Sequence, residues 1–341
     1  DYRFQTDVYG AGSVSNGTFS GTLYIKGGGD PTLGASGMRA LARNLHSAGI
    51  NTVKGRVLGD ASIFDKLGGG PDSHYKASTE TEGELSGLVY NSGFTGRSLQ
   101  SNPAKSAAGA FVALAKSGGV TIAHGTTVGT GTTPANTTQL AHVYSPTLGT
   151  LIRSTNVPSN NFYAETLLKD IGHFYGTGGS TAAGAKATLS IVKSRLGVTG
   201  VQTNDGSGLS RYDRTSPAQL VTLLDEMAAD PYFVGSLPVA GVSGTLKSEM
   251  RGTPAAGDCR AKTGTLRDVA NLSGYCRAAN GHNLVFSFME NSLHNSNTGH
   301  ALEDTMAEAL AEYTGDGKGS AASPMPVPTP SFAPVTSTAT P

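Results

Sequence analysis

With 341 residues the chain exceeds one ordinary domain, and length alone predicts two or three. Twenty-five basic residues balance twenty-five acidic ones with no basic block, which argues against nucleic acid as a partner. No apolar run approaches the roughly 20 residues that a membrane helix needs, so no transmembrane segment is expected. Taken in order, residues 18–26 and 52–59 alternate as strands do. Between them, residues 37–48 carry Met38, Leu41 and Leu45 at helical spacing. Residues 103–116 predict a second helix ended by Gly118-Gly119, and the Gly/Thr-rich 125–136 a loop or edge strand. Beyond about residue 146 longer helices take over. The first, 160–171, has Tyr163, Leu167, Leu168 and Ile171 on one side; 182–196 is the next. A third runs to residue 229 from Ser216-Pro217-Ala218-Gln219, a Ser-x-x-Gln capping box with proline at the first helical position. Strands at 258–266, 269–278 and 284–290 follow. A last helix, about 300–313, places Leu302, Met306 and Leu310 on its buried stripe.

Six of the sixteen prolines lie between Pro324 and Pro341. Residues 315–341 are therefore expected to be a disordered Pro/Ser/Thr-rich tail or spacer that cannot bury a core. The two cysteines, Cys259 and Cys276, bracket the first two closing strands. If Arg267-Asp268 forms a two-residue hairpin turn, they face one another at about 4.5–5.5 Å between Cβ atoms, within reach of a disulfide after local adjustment. A bridge implies an oxidising compartment; the alternative is two small thiols packed in a sheet. Without a neighbouring histidine they make a poor metal site.

The chemistry-bearing residues begin with Lys262, inside a strand next to Thr263-Gly264-Thr265. A buried ammonium needs an opposite charge, and the nearest acids in sequence, Asp258 and Asp268, stand at the two ends of that strand. Earlier in the chain, Ser159-Asn160-Asn161 follows a proline and precedes a helix. Together they match two of three motifs of the penicillin-recognising serine acyl enzymes, Ser-x-x-Lys, Ser-x-Asn and Lys-Thr-Gly. Longer stretches are more specific: "DYRF" at the start, "GGGDPTL" at 27–33, "VLGDASIFD" at 57–65, "PSNNFYAETLLKDIG" at 158–172, "NDGSGLSRYDRTSP" at 204–217 and "AKTGTLRDVANLSGY" at 261–275. On these the chain resembles, over nearly all of residues 1–313, the class C low-molecular-mass penicillin-binding proteins, which are D-Ala-D-Ala carboxypeptidases and endopeptidases.

The resemblance implies an α/β (α+β) fold of the β-lactamase/transpeptidase type, an antiparallel sheet flanked by helices, with inserted mostly-β domains. Residues 1–9 would end the first part of the transpeptidase-like domain, 10–145 would be inserted accessory domains, and 146–314 the transpeptidase-like domain itself. It implies acyl transfer to serine on peptidoglycan stem peptides ending in D-Ala-D-Ala, β-lactams as inhibitors, no metal or organic cofactor, and an extracytoplasmic site (periplasmic, cell-wall-associated or secreted). Lys262 would anchor the substrate carboxylate; unit charges about 4 Å apart are worth roughly 4 kcal/mol at an effective dielectric near 20. Thr263 and Thr265 would share that carboxylate, Gly264 would admit the ligand, and the Thr265 N–H would donate to an oxyanion hole. Ser159 would relay a proton, Asn161 would hold the substrate amide, and Leu209 and Arg211 would border the cleft.

The Ser-x-x-Lys pair is the missing element. Ser73…Lys76 lies in a Gly/Pro/Asp-rich loop, and Ser190…Lys193 sits on a helix after the Ser-Asn-Asn motif, so neither fits. The chain opens at Asp1 instead of Met, as a processed or truncated sequence does. The nucleophile is expected within about six helical turns, roughly 20 residues, upstream. Two rival functions remain: a non-catalytic, cell-wall-binding pseudoenzyme that has lost the nucleophile, and a serine β-lactamase, for which no Glu presents itself as the deacylating base. There is no Gly-x-Ser-x-Gly elbow and no His-Glu-x-x-His motif. His294 and His300 are expected to flank an Asn/Ser-rich loop, and the glycines at 27–29 to form a tight turn.

Overall fold

The computed structural model describes residues 1–79, 81 and 83–315; the tail from 316 onward lies outside them. In chain order the strands are β1 (Gln5–Ser15), β2 (Thr18–Lys26), β3 (Thr52–Asp60), β4 (Phe94–Thr95), β5 (Ser98–Leu99), β6 (Thr121–Ile122), β7 (Thr127–Thr130), β8 (Thr138–Tyr144), β9 (Cys259–Leu266), β10 (Val269–Arg277) and β11 (Asn283–Asn291). The helices are α1 (Ala35–Ser47), α2 (Pro103–Leu114), α3 (Leu148–Asn156), α4 (Asn161–Tyr175), α5 (Thr181–Leu196), α6 (Pro217–Met227), α7 (Pro231–Ser236) and α8 (Ser296–Ala311). The fold is mixed α+β. The chain divides into two compact units: Asp1–Thr147 with Asn160–Ser216, and Leu148–Ser159 with everything from Pro217 on. Among the described residues no helix is long and apolar enough to cross a membrane.

The first unit is built on a sheet in the order β6-β3-β2-β1-β8, with β7 also pairing β3. β1 and β2 form an antiparallel hairpin turned on Asn16-Gly17, both at positive φ, as a two-residue Asn-Gly turn requires. β2 and β3 run parallel, with α1 between them in the chain, so the sheet is mixed. Its apolar face, including Val8, Phe19, Leu23 and Val57, packs with Met38, Leu41 and Leu45 of α1 and Phe111 of α2. Each such side chain contributes roughly 1.5–3 kcal/mol on full burial. The glycine run at 27–29 has a packing reason: the Gln5 carbonyl occupies the place of a Cβ at Gly28, and the Gly87 carbonyl that at Gly27.

α4 corrects the expected stripe. Its buried residues include Phe162, Glu165, Thr166, Leu168, Lys169 and Asp170, while Tyr163, Leu167 and Ile171 are only half-buried. Two of the three buried charged groups are met: Lys169 Nζ donates to Asp65 Oδ1 at 2.6 Å and to the Leu67 carbonyl at 2.7 Å, whereas burial, and then Asp30, pushes the pKa of the Asp170 carboxyl up. The Glu165 carboxylate accepts from the N–H groups of Gly206 and Ser207.

The second unit holds the antiparallel sheet β11-β10-β9. β9 and β10 turn on Arg267-Asp268, pairing Leu266 with Val269 and Cys259 with Cys276, and the two cysteines are joined in a disulfide. α6 packs on β11, and α8 packs mainly on β10. α8 begins four residues earlier than expected, since the Asn295 side chain caps it by accepting from the Thr298 N–H at 3.2 Å. Its buried stripe is also different. Gly299, Glu303, Ala307 and Ala311 face inward and Leu302 is half exposed, because small residues let the helix backbone lie close on the sheet; a Cβ at Gly299 would run into Ala270.

Candidate active site

The second unit brings Ser159, Lys262, Thr263 and Thr265 into one local structure. α3 is anchored on α7: Arg153 Nη1 donates to the Gly235 carbonyl at 2.6 Å and Asn156 Nδ2 to Ser236 Oγ at 2.8 Å. Ser159 follows within three residues of the end of α3, its N–H donating to the Asn156 carbonyl at 3.3 Å. Its φ is +60°, in the left-handed region that a non-glycine residue enters at a cost of about 1–2 kcal/mol. Such strain persists only where the surroundings over-determine it. Here they do, because two rungs tie this turn to β9. Lys262 Nζ donates to Ser159 Oγ at 2.7 Å. Thr263 Oγ1 donates to Thr245 Oγ1 at 2.9 Å, and the Thr245 N–H donates to the Val157 carbonyl at 3.2 Å. Gly244, before Thr245, has φ +60°, and the Val157 carbonyl stands where its Cβ would be; only glycine fits.

Lys262 Nζ also donates to the Thr263 carbonyl at 2.8 Å. Burial pushes its pKa down to about 8 from 10.5, and among the described residues no carboxylate pairs with it. β9 is an edge strand of its sheet. The Ala261 N–H donates outward to the Pro238 carbonyl, and the Cys259 carbonyl accepts from the Ala240 N–H. Strand alternation repeats that orientation every second residue, which turns the N–H and C=O groups of Thr263 and Thr265 to the same outer edge. A Cβ added at Gly264 would meet Asn271 Cβ at 3.5 Å and Nδ2 at 3.6 Å, ordinary contacts. Packing within the sheet therefore does not demand glycine at this position.

Beyond Thr265 the structure adds residues that motif spacing did not reveal. Thr265 Oγ1 is 3.1 Å from His300 Nε2, and His300 Nδ1 is 2.9 Å from Glu303 Oε2. Glu303 is 2% exposed. Burial first, then the neighbouring Glu290, pushes its pKa up to about 8. The His300-x-x-Glu303 spacing falls within the helix expected at about 300–313 and was the available signal, but a His and a Glu three apart on a helix match no motif until β9 lies against them. Among the described residues no group of three or more His, Cys, Asp or Glu side chains is placed to hold a metal ion.

The first unit carries the other expected residues. Asn161 opens α4, directly after Asn160, whose Oδ1 accepts from the Tyr163 N–H at 2.8 Å. Leu209 is half-buried and Arg211 exposed, on a loop folded around Asp205, which accepts from the Gly208 N–H at 2.8 Å and the Ser210 N–H at 2.6 Å. Glu165 fastens the same loop to α4 through Ser207, whose Oγ donates to it at 2.7 Å. Ser73 Oγ is committed to the carbonyls of Gly70 and Lys76, at 3.0 and 2.6 Å. Ser190 and Lys193 are exposed on α5.

The family model for the D-Ala-D-Ala carboxypeptidase 3 (S13) family matches residues 1–83 and 90–313. A D-alanyl-D-alanine carboxypeptidase of Actinomadura sp. (strain R39) is 29% identical over 402 aligned positions, covering 92% of this chain and 74% of that protein. Among solved structures, penicillin binding protein 4 of Haemophilus influenzae superposes with a TM-score of 0.77 at 20% identity, over 92% of this chain and 87% of that one. The same protein has been solved complexed with a β-lactam. A predatory endopeptidase of Bdellovibrio bacteriovorus superposes with a TM-score of 0.56 at 18% identity, over 91% of this chain and 81% of that one.

Proposed function

This chain belongs to the D-Ala-D-Ala carboxypeptidase 3 (S13) family, and from that premise we propose how its residues serve the family's reaction. The protein is a serine-type D-Ala-D-Ala carboxypeptidase/endopeptidase acting on peptidoglycan. Its substrates are stem peptides ending in D-Ala-D-Ala, and β-lactams acylate the same site. It acts outside the cytoplasm, and the disulfide in its second unit accords with an oxidising compartment. Residues 10–145 are accessory domains inserted into a transpeptidase-like domain that resumes at 146.

One observation carries the assignment of roles: a half-buried ammonium, Lys262, held by a serine hydroxyl and a carbonyl with no carboxylate of its own among the described residues. In this reading the substrate's terminal carboxylate supplies the counter-charge, and Thr263 and Thr265 offer hydroxyls to it. The lack of a side chain at Gly264 helps the peptide lie along the edge of β9 as an added strand. The Thr265 N–H, turned to that edge, donates to the oxyanion that forms when serine attacks the scissile carbonyl. A lysine with a pKa near 8 is matched to proton transfer close to neutral pH. Ser159, hydrogen-bonded to it, passes the proton to the departing D-alanine amine, and water then hydrolyses the acyl-enzyme. Asn161 holds the substrate amide, and Leu209 and Arg211 contact the peptide further out. The nucleophile is assigned to neither Ser73 nor Ser190.

The test is acylation. The protein, incubated with benzylpenicillin and digested, is expected to carry the penicilloyl adduct on a serine that is neither Ser73 nor Ser190. An adduct on Ser73 or Ser190 overturns the motif assignment. A folded protein that takes no adduct and releases no D-alanine overturns the enzymatic reading in favour of a cell-wall-binding protein.

A further inference from the structure

The second unit contains a proton-holding chain that the reaction above does not use. It runs from Thr265 on β9 to His300 and Glu303 on α8 and ends at Glu290 on β11. Glu303 Oε1 and Glu290 Oε2 are buried and have no partner if both carboxyls are ionised. One proton between them satisfies both: Glu303 donates to Glu290, a bond that adds to the burial raising the Glu303 pKa and partly offsets the burial raising that of Glu290. Glu303 Oε2 is then left as an acceptor for His300 Nδ1–H, which fixes the tautomer of the neutral ring. Its Nε2, 3.1 Å from Thr265 Oγ1, has two possible roles. On a neutral ring it accepts, so the Thr265 O–H points at the imidazole and only oxygen lone pairs face outward. On a protonated ring Nε2–H donates to Oγ1, and the Thr265 O–H is released toward the edge of β9.

We propose that His300 is a positioning residue, whose protonation turns the Thr265 hydroxyl from a lone-pair face into a donor for the terminal carboxylate of a bound peptide. This rests on the carboxylate site proposed above. The charged groups around the switch are Glu303 and Glu290, with Asp304 beside Glu303 and, beyond it, Glu249 and Glu308. All are acids; the Lys262 ammonium, three residues before Thr265 on β9, is the cation nearby in sequence. The device favours carboxylate-terminated substrates at the acid end of the range, while a cross-link presenting an amide at the same place gains nothing from it.

The experiment is a pH profile of kcat/KM for the full-length protein on a diacyl-L-Lys-D-Ala-D-Ala peptide, for wild type and His300→Gln. A glutamine amide can donate to Thr265 at every pH. The wild type is expected to lose about tenfold as pH rises, in a step that comes ahead of any loss from Lys262. His300→Gln is expected to lack that earlier step, and a peptide with a C-terminal amide to lack it in the wild type. The same earlier step in His300→Gln overturns the proposal. A second measurement needs no turnover: long-range ¹H–¹⁵N correlation on this chain reads the His300 tautomer at high pH. Nδ1–H is expected, and Nε2–H overturns the switch. Should the wild type hydrolyse nothing at any pH, the enzymatic reading falls, and the tautomer still decides the His300–Thr265 pairing.

Discussion

Lys262 is held at two points, by Ser159 Oγ and by the Thr263 carbonyl, and both partners are neutral. Neither offsets desolvation as a carboxylate would, which is why its pKa falls to about 8. Two consequences have opposite signs. In the unfolded chain the group keeps its proton to about its ordinary 10.5, so between about 8 and 10.5 the unfolded state binds more protons. The contribution of this group to stability therefore rises with pH across that window. A ligand carboxylate prefers the ammonium, so its affinity falls as pH rises through about 8. KM for a D-Ala-D-Ala peptide is expected to climb above that pH, and pH-dependent steady-state kinetics reads it. Truncating one partner of a hydrogen-bonded charge pair costs about 2–5 kcal/mol, so Lys262→Ala is expected to lower kcat/KM on the same peptide by roughly 10²–10³-fold. A loss under tenfold would mean that the carboxylate is anchored elsewhere. Lys262 was legible in the sequence because an ammonium inside a strand is anomalous. Thr245 was not, since a threonine in a Gly/Ser-rich turn signals nothing until β9 lies against it.

The elements show where local pattern sufficed. β2 follows the expected bounds, and the β9–β10 register followed from one assumed turn, because alternation and a two-residue loop are local properties. β1 passed unnoticed even though Asn16-Gly17 between alternating apolar residues is a strong hairpin signal; its glycines at 10 and 12 thin the apolar pattern. The stripes of α4 and α8 misled for the opposite reason. Both helices bury charged or small residues among their inward positions and leave some larger apolar ones, such as Leu167 and Leu302, partly exposed, which an apolar count reverses. The element that sets the site is a short one, the turn at Gly244. Gly244→Ala adds a Cβ at positive φ directly against the Val157 carbonyl, so the turn must move and carry Thr245 off Thr263. The left-handed conformation alone costs about 1–2 kcal/mol. The variant is expected to fold with a lower melting temperature and to be acylated by benzylpenicillin at least tenfold more slowly. Unchanged acylation would show that Ser159 and Lys262 keep their places without this rung.

At the scale of the molecule, motif order and contact order partition the chain differently. The motifs suggest one domain resuming at residue 146, whereas contacts group 160–216 with the first 147 residues and pass the chain between units after Thr147, Ser159 and Ser216. No change of composition marks those crossings; they depend on contacts between residues far apart in sequence, which a single sequence does not display. Each unit has its own apolar core, one around Phe19, Leu41 and Phe111, the other around Leu272, Phe286 and Ala307. Separate cores predict separate unfolding, and the disulfide provides a label because both cysteines belong to the second core. The cysteines are 17 residues apart, and a cross-link of that span stabilises by about 3 kcal/mol on chain-entropy grounds. Calorimetry is expected to resolve two transitions. Reduction, or the Cys259→Ala/Cys276→Ala double variant, should lower one of them by on the order of 10 °C for a unit of this size and leave the other in place. A single transition that shifts as a whole would mean that the two cores unfold together, and that the chain crossings couple them more strongly than their separate packing implies.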